Sequence, residues 1–163
     1  MLFRSAPELR PSRCLCTFHQ NQKIVKPDLS SLPERAQAYR ELAANASCVF
    51  TDHRLAQKEC WELHGQFAFQ VSPHGNGLDC FRTWESLYLG TIPIVKSSSL
   101  DPLYEDHRLP VVIVKSWAEI TPQNLHAWRE RFQPLLGDMG LKLSLDYWVA
   151  QIKRASRQVE ARA

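Results

Sequence analysis

The residues best suited to chemistry sit in one loop and just after it. Residues 72–77 read SPHGNG, and Asp79, Arg82 and Glu85 follow at intervals of three. Ser72, His74 and Asn76 bring side-chain hydrogen-bonding groups. Gly75 and Gly77 bring none, so the backbone there can turn sharply and come close to a ligand. A helix starting after such a loop has N–H groups with no internal partner, and these make an anion site. A second polar run, Lys96-Ser97-Ser98-Ser99, and a short turn after Val114 have the same character. A ligand carrying phosphate suits all three. The plainer alternative is a Gly-rich turn that joins two elements and binds nothing.

The elements around the loop read as alternating strands and helices. Short apolar runs at 13–18, 48–51, 67–71, 92–95 and 111–114 predict five strands. Helical spacing predicts helices over 33–45, 54–64, 78–89, 122–132 and 145–159, with one further turn near 100–104. Pro33 suits a first helical position, Asp52, Thr121 and Ser144 suit caps, and Gly65 and Gly90 suit stops. Strands that are apolar throughout and separated by helices predict an α/β fold. The expected form is a Rossmann-like three-layer domain with a roughly five-stranded parallel sheet and helices on both faces. Ligands of such sheets bind beyond the carboxyl ends of the strands, where the three polar segments fall. Pro93 is awkward in a central strand and is expected near a strand start. Residues 19–32 form a long polar loop, either functional or an insertion.

On the helix over 78–89, Phe81, Trp84 and Tyr88 share one side at about 100° per residue and are expected to face the sheet. Glu85 then borders the buried stripe, which is costly unless its carboxylate is hydrogen-bonded. Sugar hydroxyls suit Glu85, and phosphate suits Arg82. The alternative is an internal ladder, Asp79 to Arg82 and Arg82 to Glu85.

Composition narrows the class. The chain has 163 residues, 44% hydrophobic and 23% charged, with a formal charge of +3. That is one domain with a real core and a mild preference for anions, with no case for nucleic acid. Residues 1–12 read as a linker or ragged start, and residues 13–160 as one domain. No apolar run approaches the ~20 residues that cross a bilayer, and the first residues lack the apolar core of a signal peptide. Five cysteines, Cys14, Cys16, Cys48, Cys60 and Cys80, form no C-x-x-C pair, and their odd number argues against a disulfide framework. Cys14 and Cys16 should point to one face of a strand. His53, His64 and His74 lack metal-ligand spacing, so no metal site is expected.

The run SPHGNGLDCFRTWESLYLGTIPIVKSSSLDPLYEDHRLPVVIVKSWAEIT resembles the exostosin-type glycosyltransferases, and in particular their C-terminal, nucleotide-sugar-binding domain of GT-B type. The likeness covers roughly residues 13–152 and is dense over 67–121. A Gly loop, R-x-W-E, L-G-x-I-P-I-V and L-P-V-V-I-V in that order carry it. It implies transfer of a sugar from a nucleotide-sugar donor to a glycan or protein acceptor, in a Golgi or secretory setting. It implies that Glu85 meets the donor's ribose. Arg82, with Ser72, His74, Gly75, Asn76 and Gly77, would meet the diphosphate, and Lys96 and Ser97 would line the same pocket. It implies no cofactor, because protein groups rather than a metal hold the diphosphate. The catalytic base is unassigned.

The chain departs from that pattern. Many retaining members carry a second Glu eight residues before the ribose Glu, and Gly77 stands there, which leans towards an inverting mechanism or a different pocket. GT-B enzymes have two such domains with the reaction between them. The expectation is therefore a fragment missing its acceptor domain, or a stand-alone donor-binding domain that transfers sugar poorly. Two other classes stay open. One is a non-catalytic nucleotide- or sugar-binding module. The other is a dinucleotide-dependent oxidoreductase, since Gly75-x-Gly77 is half of a G-x-G-x-x-G fingerprint whose third position here is Cys80.

Overall fold

A computed structural model describes residues 6–18, 32–51, 53, 55–75 and 77–160. Five strands, β1 (Cys14–Cys16), β2 (Cys48–Phe50), β3 (Phe69–Val71), β4 (Ile92–Lys96) and β5 (Val112–Val114), form one sheet in the order β2-β1-β3-β4-β5. Every neighbouring pair is parallel. The helices are α1 (Leu32–Leu42), α2 (Gln57–His64), α3 (Phe81–Tyr88), α4 (Asp101–Asp106), α5 (Pro122–Phe132), α6 (Met139–Lys142) and α7 (Leu145–Glu160). The result is the three-layer, Rossmann-like α/β fold that the strand pattern predicts.

Strand alternation builds the two cores. On one face Cys14, Cys16, Phe69, Val71, Ile92, Ile94, Val112 and Val114 meet Ala38 and Leu42 of α1, Trp117, and Leu125 and Phe132 of α5. On the other, Val95 and Ile113 meet Leu87 of α3, Tyr104 of α4 and Met139 of α6. Each large side chain fully buried in this way contributes roughly 1.5–3 kcal/mol. Strand order reverses between β1 and β3, which opens a crevice at their carboxyl ends.

Several boundaries differ from expectation. Pro93 lies within β4, between β3 and β5, not at a strand start. It is tolerated because Ile92 N donates to the Ala68 carbonyl and Ile94 O accepts from Ser72 N, so Ile92 and Ile94 face β3. The missing N–H of Pro93 then faces β5, whose pairing begins only at Ile94 with Val112. α1 ends at Leu42, α2 starts at Gln57, and α3 starts at Phe81 rather than at position 78. The turn expected near 100–104 is a full helix, α4. Thr121 Oγ1 accepts from Asn124 N, and Ser144 Oγ from Tyr147 N, as their cap positions predict. Residues 19–31, Asp52 and Asn76 lie outside the described residues.

The sheet-facing side of α3 is the main correction. Phe81 and Tyr88 are 70% and 63% exposed, and Trp84 is half-buried. Thr83, Ser86 and Leu87 point inward instead. Two of these are hydroxyl residues whose polar groups are satisfied inside: Thr83 Oγ1 bonds to Ser72 Oγ at 3.0 Å, and Ser86 Oγ donates to the Arg82 carbonyl at 2.7 Å. Periodicity judged by side-chain hydrophobicity therefore selects the wrong side. The stop is as expected: Gly90 has φ of 70°. Gly90 N donates to Leu87 O and Thr91 N to Ser86 O, the paired bonds of a Schellman motif. Gly65 closes α2 in an ordinary right-handed conformation.

Candidate functional site

The loop after β3 is fastened to α3 by the Ser72–Thr83 hydroxyl pair, both of them buried. Gly75 N donates to Gly77 O at 3.1 Å, closing the turn. Neither glycine has a positive φ. Gly77 faces open space, whereas a Cβ on Gly75 would lie 3.1 Å from Arg35 Nη2. Gly75 thus makes room for a guanidinium rather than for an unusual backbone angle. Arg35 reaches the loop from the first turn of α1, and its Nε donates to the His74 carbonyl at 3.2 Å.

Arg82 is only 8% exposed. Its Nη1 donates to Cys80 Sγ at 3.3 Å, a weak acceptor. Among the described residues it makes no ion pair. The ladder alternative does not form: Asp79 Oδ1 accepts from Trp84 Nε1 at 2.6 Å, and Glu85 Oε1 accepts from Trp61 Nε1 at 3.2 Å. A nearly buried cation without a counter-charge is costly. Its field is felt nearby. Burial lowers the pKa of Arg35, and the charge of Arg82 lowers it further. Burial pushes His64 down to about 4, with Arg82 again adding to the effect. Arg35 thus sits at the His74–Gly75 backbone at the carboxyl end of β3, near enough to Arg82 to feel its charge.

The other expected ligands are engaged in their own structure. Lys96 Nζ lies 3.5 Å from Glu34 Oε2 and 3.1 Å from Gln37 Oε1, both on α1. Glu34 also accepts from Trp117 Nε1 at 3.1 Å. The first turns of α1 are thus tied over the ends of β3, β4 and β5. Ser97 Oγ donates to Asp101 Oδ2 at 2.6 Å, bracing the start of α4. Within β3 and just before it lie fully buried polar groups. Gln70 Nε2 donates to Thr17 Oγ1, but Gln70 Oε1 and both ring nitrogens of His64 have no partner among the described residues.

Glu85 opens elsewhere, into a cavity of about 440 Å³ walled by Trp61, Trp84, Tyr88 and Trp148, with Leu89 and Leu143. A carboxylate set among aromatic faces can take hydroxyls while the rings cover an apolar or planar group. A larger cavity, about 810 Å³, lies at the amino ends of the strands between Ser12, Gly90 and α5. Its arginines are committed to the fold: Arg10 binds the Gly90 and Leu89 carbonyls, and Arg129 binds Ser12, Pro7 and Glu8. Size alone does not make it the better site, because the Gly-bearing loop and Arg35 lie at the opposite, carboxyl ends of the strands.

Arg35 is the residue at this candidate site that sequence reasoning missed. Its signal was a cation in the first turn of a helix, where the helix dipole disfavours positive charge. Among the described residues no group of three or more His, Cys, Asp or Glu side chains is arranged to hold a metal. No helix among them is long and apolar enough to cross a membrane. Comparison of the chain with protein-family models and with curated proteins returns no match.

Proposed function

We propose that this chain is the nucleotide-sugar-binding domain of a glycosyltransferase of exostosin type. The single observation that carries the reading is Arg82: a nearly buried guanidinium with no carboxylate partner among the described residues, in the first turn of the helix that follows a Gly-bearing loop at the carboxyl end of a parallel sheet. An anion at this place relieves the uncompensated charge, and the diphosphate of a sugar donor supplies it.

In glycosyl transfer the bond between the anomeric carbon and the phosphate oxygen breaks, and the nucleoside diphosphate leaves with an added negative charge. Arg82, backed by the N–H groups at the start of α3, would stabilise that charge as it develops. Glu85, one turn further along the same helix, would accept from ribose hydroxyls, with the tryptophan walls beside it. Sugar transfer then draws on an acceptor, a glycan or a protein, and on a general base supplied from beyond this domain. No cofactor enters this reading, because protein groups alone hold the donor.

Calorimetry with UDP, GDP and NAD tests it. The reading expects UDP or GDP to bind, and Arg82→Gln or Glu85→Ala to abolish the binding in a folded protein. Silence with every nucleotide sinks it and favours a module that keeps the fold without the chemistry. Preference for NAD transfers the site to the dinucleotide class.

A further inference from the structure

Three of the five cysteines meet at one edge of the sheet. Cys14 and Cys16 alternate along β1 and point to the same face, both fully buried. β2 is an edge strand, and its Cys48 stands directly opposite Cys14 in the parallel register. Cys48 packs against the same core yet is only part-buried, so a small solute reaches it from the edge. Cys60 and Cys80, on or beside α2 and α3, stand apart from this group.

We propose that Cys48 and Cys14 form an oxidation site, in which a peroxide converts the two free thiols into a disulfide joining β1 to the edge strand β2. Neighbouring strands lie about 4.8 Å apart, inside the Cα separation of about 4.4–6.8 Å that a disulfide spans. Cys14 and Cys16 are two strand residues apart, about 6.6 Å, with parallel Cα–Cβ bonds, which puts them at the outer limit of that range. Cys16 stands opposite Phe50, two residues further along, so register selects Cys14 as the partner of Cys48.

The roles of the two sulfurs follow from their surroundings. Cys48 is held down to about 4 by hydrogen bonding from Cys14 and Cys16, with Arg13 helping, so it supplies the thiolate. Cys14 is pushed up, most by its bond with Cys48 and then by burial, and remains the resolving thiol. The Cys48 thiolate attacks one peroxide oxygen, the O–O bond breaks, and hydroxide leaves to become water. Cys48 is then a sulfenic acid. The Cys14 sulfur attacks the Cys48 sulfur, the S–O bond breaks, and the departing hydroxide takes the Cys14 proton. Two thiols lose two electrons in all, and one hydrogen peroxide becomes two waters.

The test treats the folded chain with hydrogen peroxide, blocks remaining thiols by alkylation, and maps peptides by mass. The expected product has lost two hydrogens and carries a Cys14–Cys48 link that dithiothreitol reverses, and the oxidised form melts at a higher temperature than the reduced one. In Cys14→Ala the link is absent and Cys48 gains oxygen atoms instead. A wild-type protein whose Cys48 gains oxygen without cross-linking overturns the proposal. So does a link that joins any other pair, or a Cys48 that stays reduced while Cys60 oxidises.

Discussion

Arg35 Nη2 lies 3.1 Å from the point that a Cβ would occupy on Gly75. The contact is tighter than ordinary van der Waals packing, and it makes the glycine a condition for the guanidinium's position. Gly75→Ala should push the flexible end of Arg35 aside at little cost to the fold, within about 1 kcal/mol. Loss of one charge-assisted hydrogen bond to an anion is worth about 1.5–3 kcal/mol. The expected result is an unchanged melting curve with at least roughly tenfold weaker pyrophosphate or nucleoside diphosphate binding by calorimetry. Equal affinity in the variant would show that Arg35 does not touch the ligand.

Arg82 invites the opposite comparison, because function and stability should separate there. Its guanidinium is nearly buried and donates only to the Cys80 thiol among the described residues. Arg82→Met keeps the length and the apolar stem while removing the charge. The ligand-free variant should melt at or above the wild-type temperature, since an uncompensated buried cation is costly. It should also lose nucleotide binding. Arg82→Lys should bind in between, because an ammonium cannot reproduce the planar two-pronged fork. A marked drop in melting temperature for Arg82→Met would mean that the charge has a structural partner.

The contrast between Arg82 and Phe81 shows which parts of this site were legible in the chain. Strand existence and order of type were readable because β1, β3, β4 and β5 are apolar at every position or nearly so, and only strands covered on both faces tolerate that. The loop after β3 was readable because SPHGNG cannot continue either a strand or a helix. The direction of α3 was not. Thr83 and Ser86 face inward because their hydroxyls find partners in Ser72 and in the helix backbone, which hydrophobic periodicity cannot register. Arg35 was out of reach for a different reason. Its link to His74 joins residues 39 positions apart in sequence, and only the folded path of α1 brings them together.

Gly90 offers a test of the fold alone. It is the one described glycine with a left-handed φ, 70°, and its two backbone bonds close α3 before β4 begins. Any other side chain there meets the left-handed penalty of about 1–2 kcal/mol. Space is not the obstacle, since the nearest atom to a new Cβ would be Arg10 Nη2 at 3.7 Å. Gly90→Ala should therefore lower the free energy of unfolding in urea by about 1–2 kcal/mol, with Gly90→Asn less damaging. An unchanged midpoint would require α3 to end differently.

His64 makes stability depend on pH. It is fully buried, neither ring nitrogen has a partner among the described residues, and burial together with Arg82 brings its pKa down to about 4. In the unfolded chain the same imidazole titrates near 6.5. Above that value both states carry it neutral, and its titration adds nothing to the pH dependence. Between about 6.5 and 4 the unfolded state binds a proton that the folded state refuses, so unfolding becomes easier as pH falls; below about 4 both states bind it and the loss levels off. The total reaches about 3 kcal/mol. Urea unfolding at pH 7 and pH 5 should show a clear drop for the wild type, and a smaller one for His64→Leu, which has no proton to refuse. A pH dependence identical in the two proteins would mean that some other group controls it.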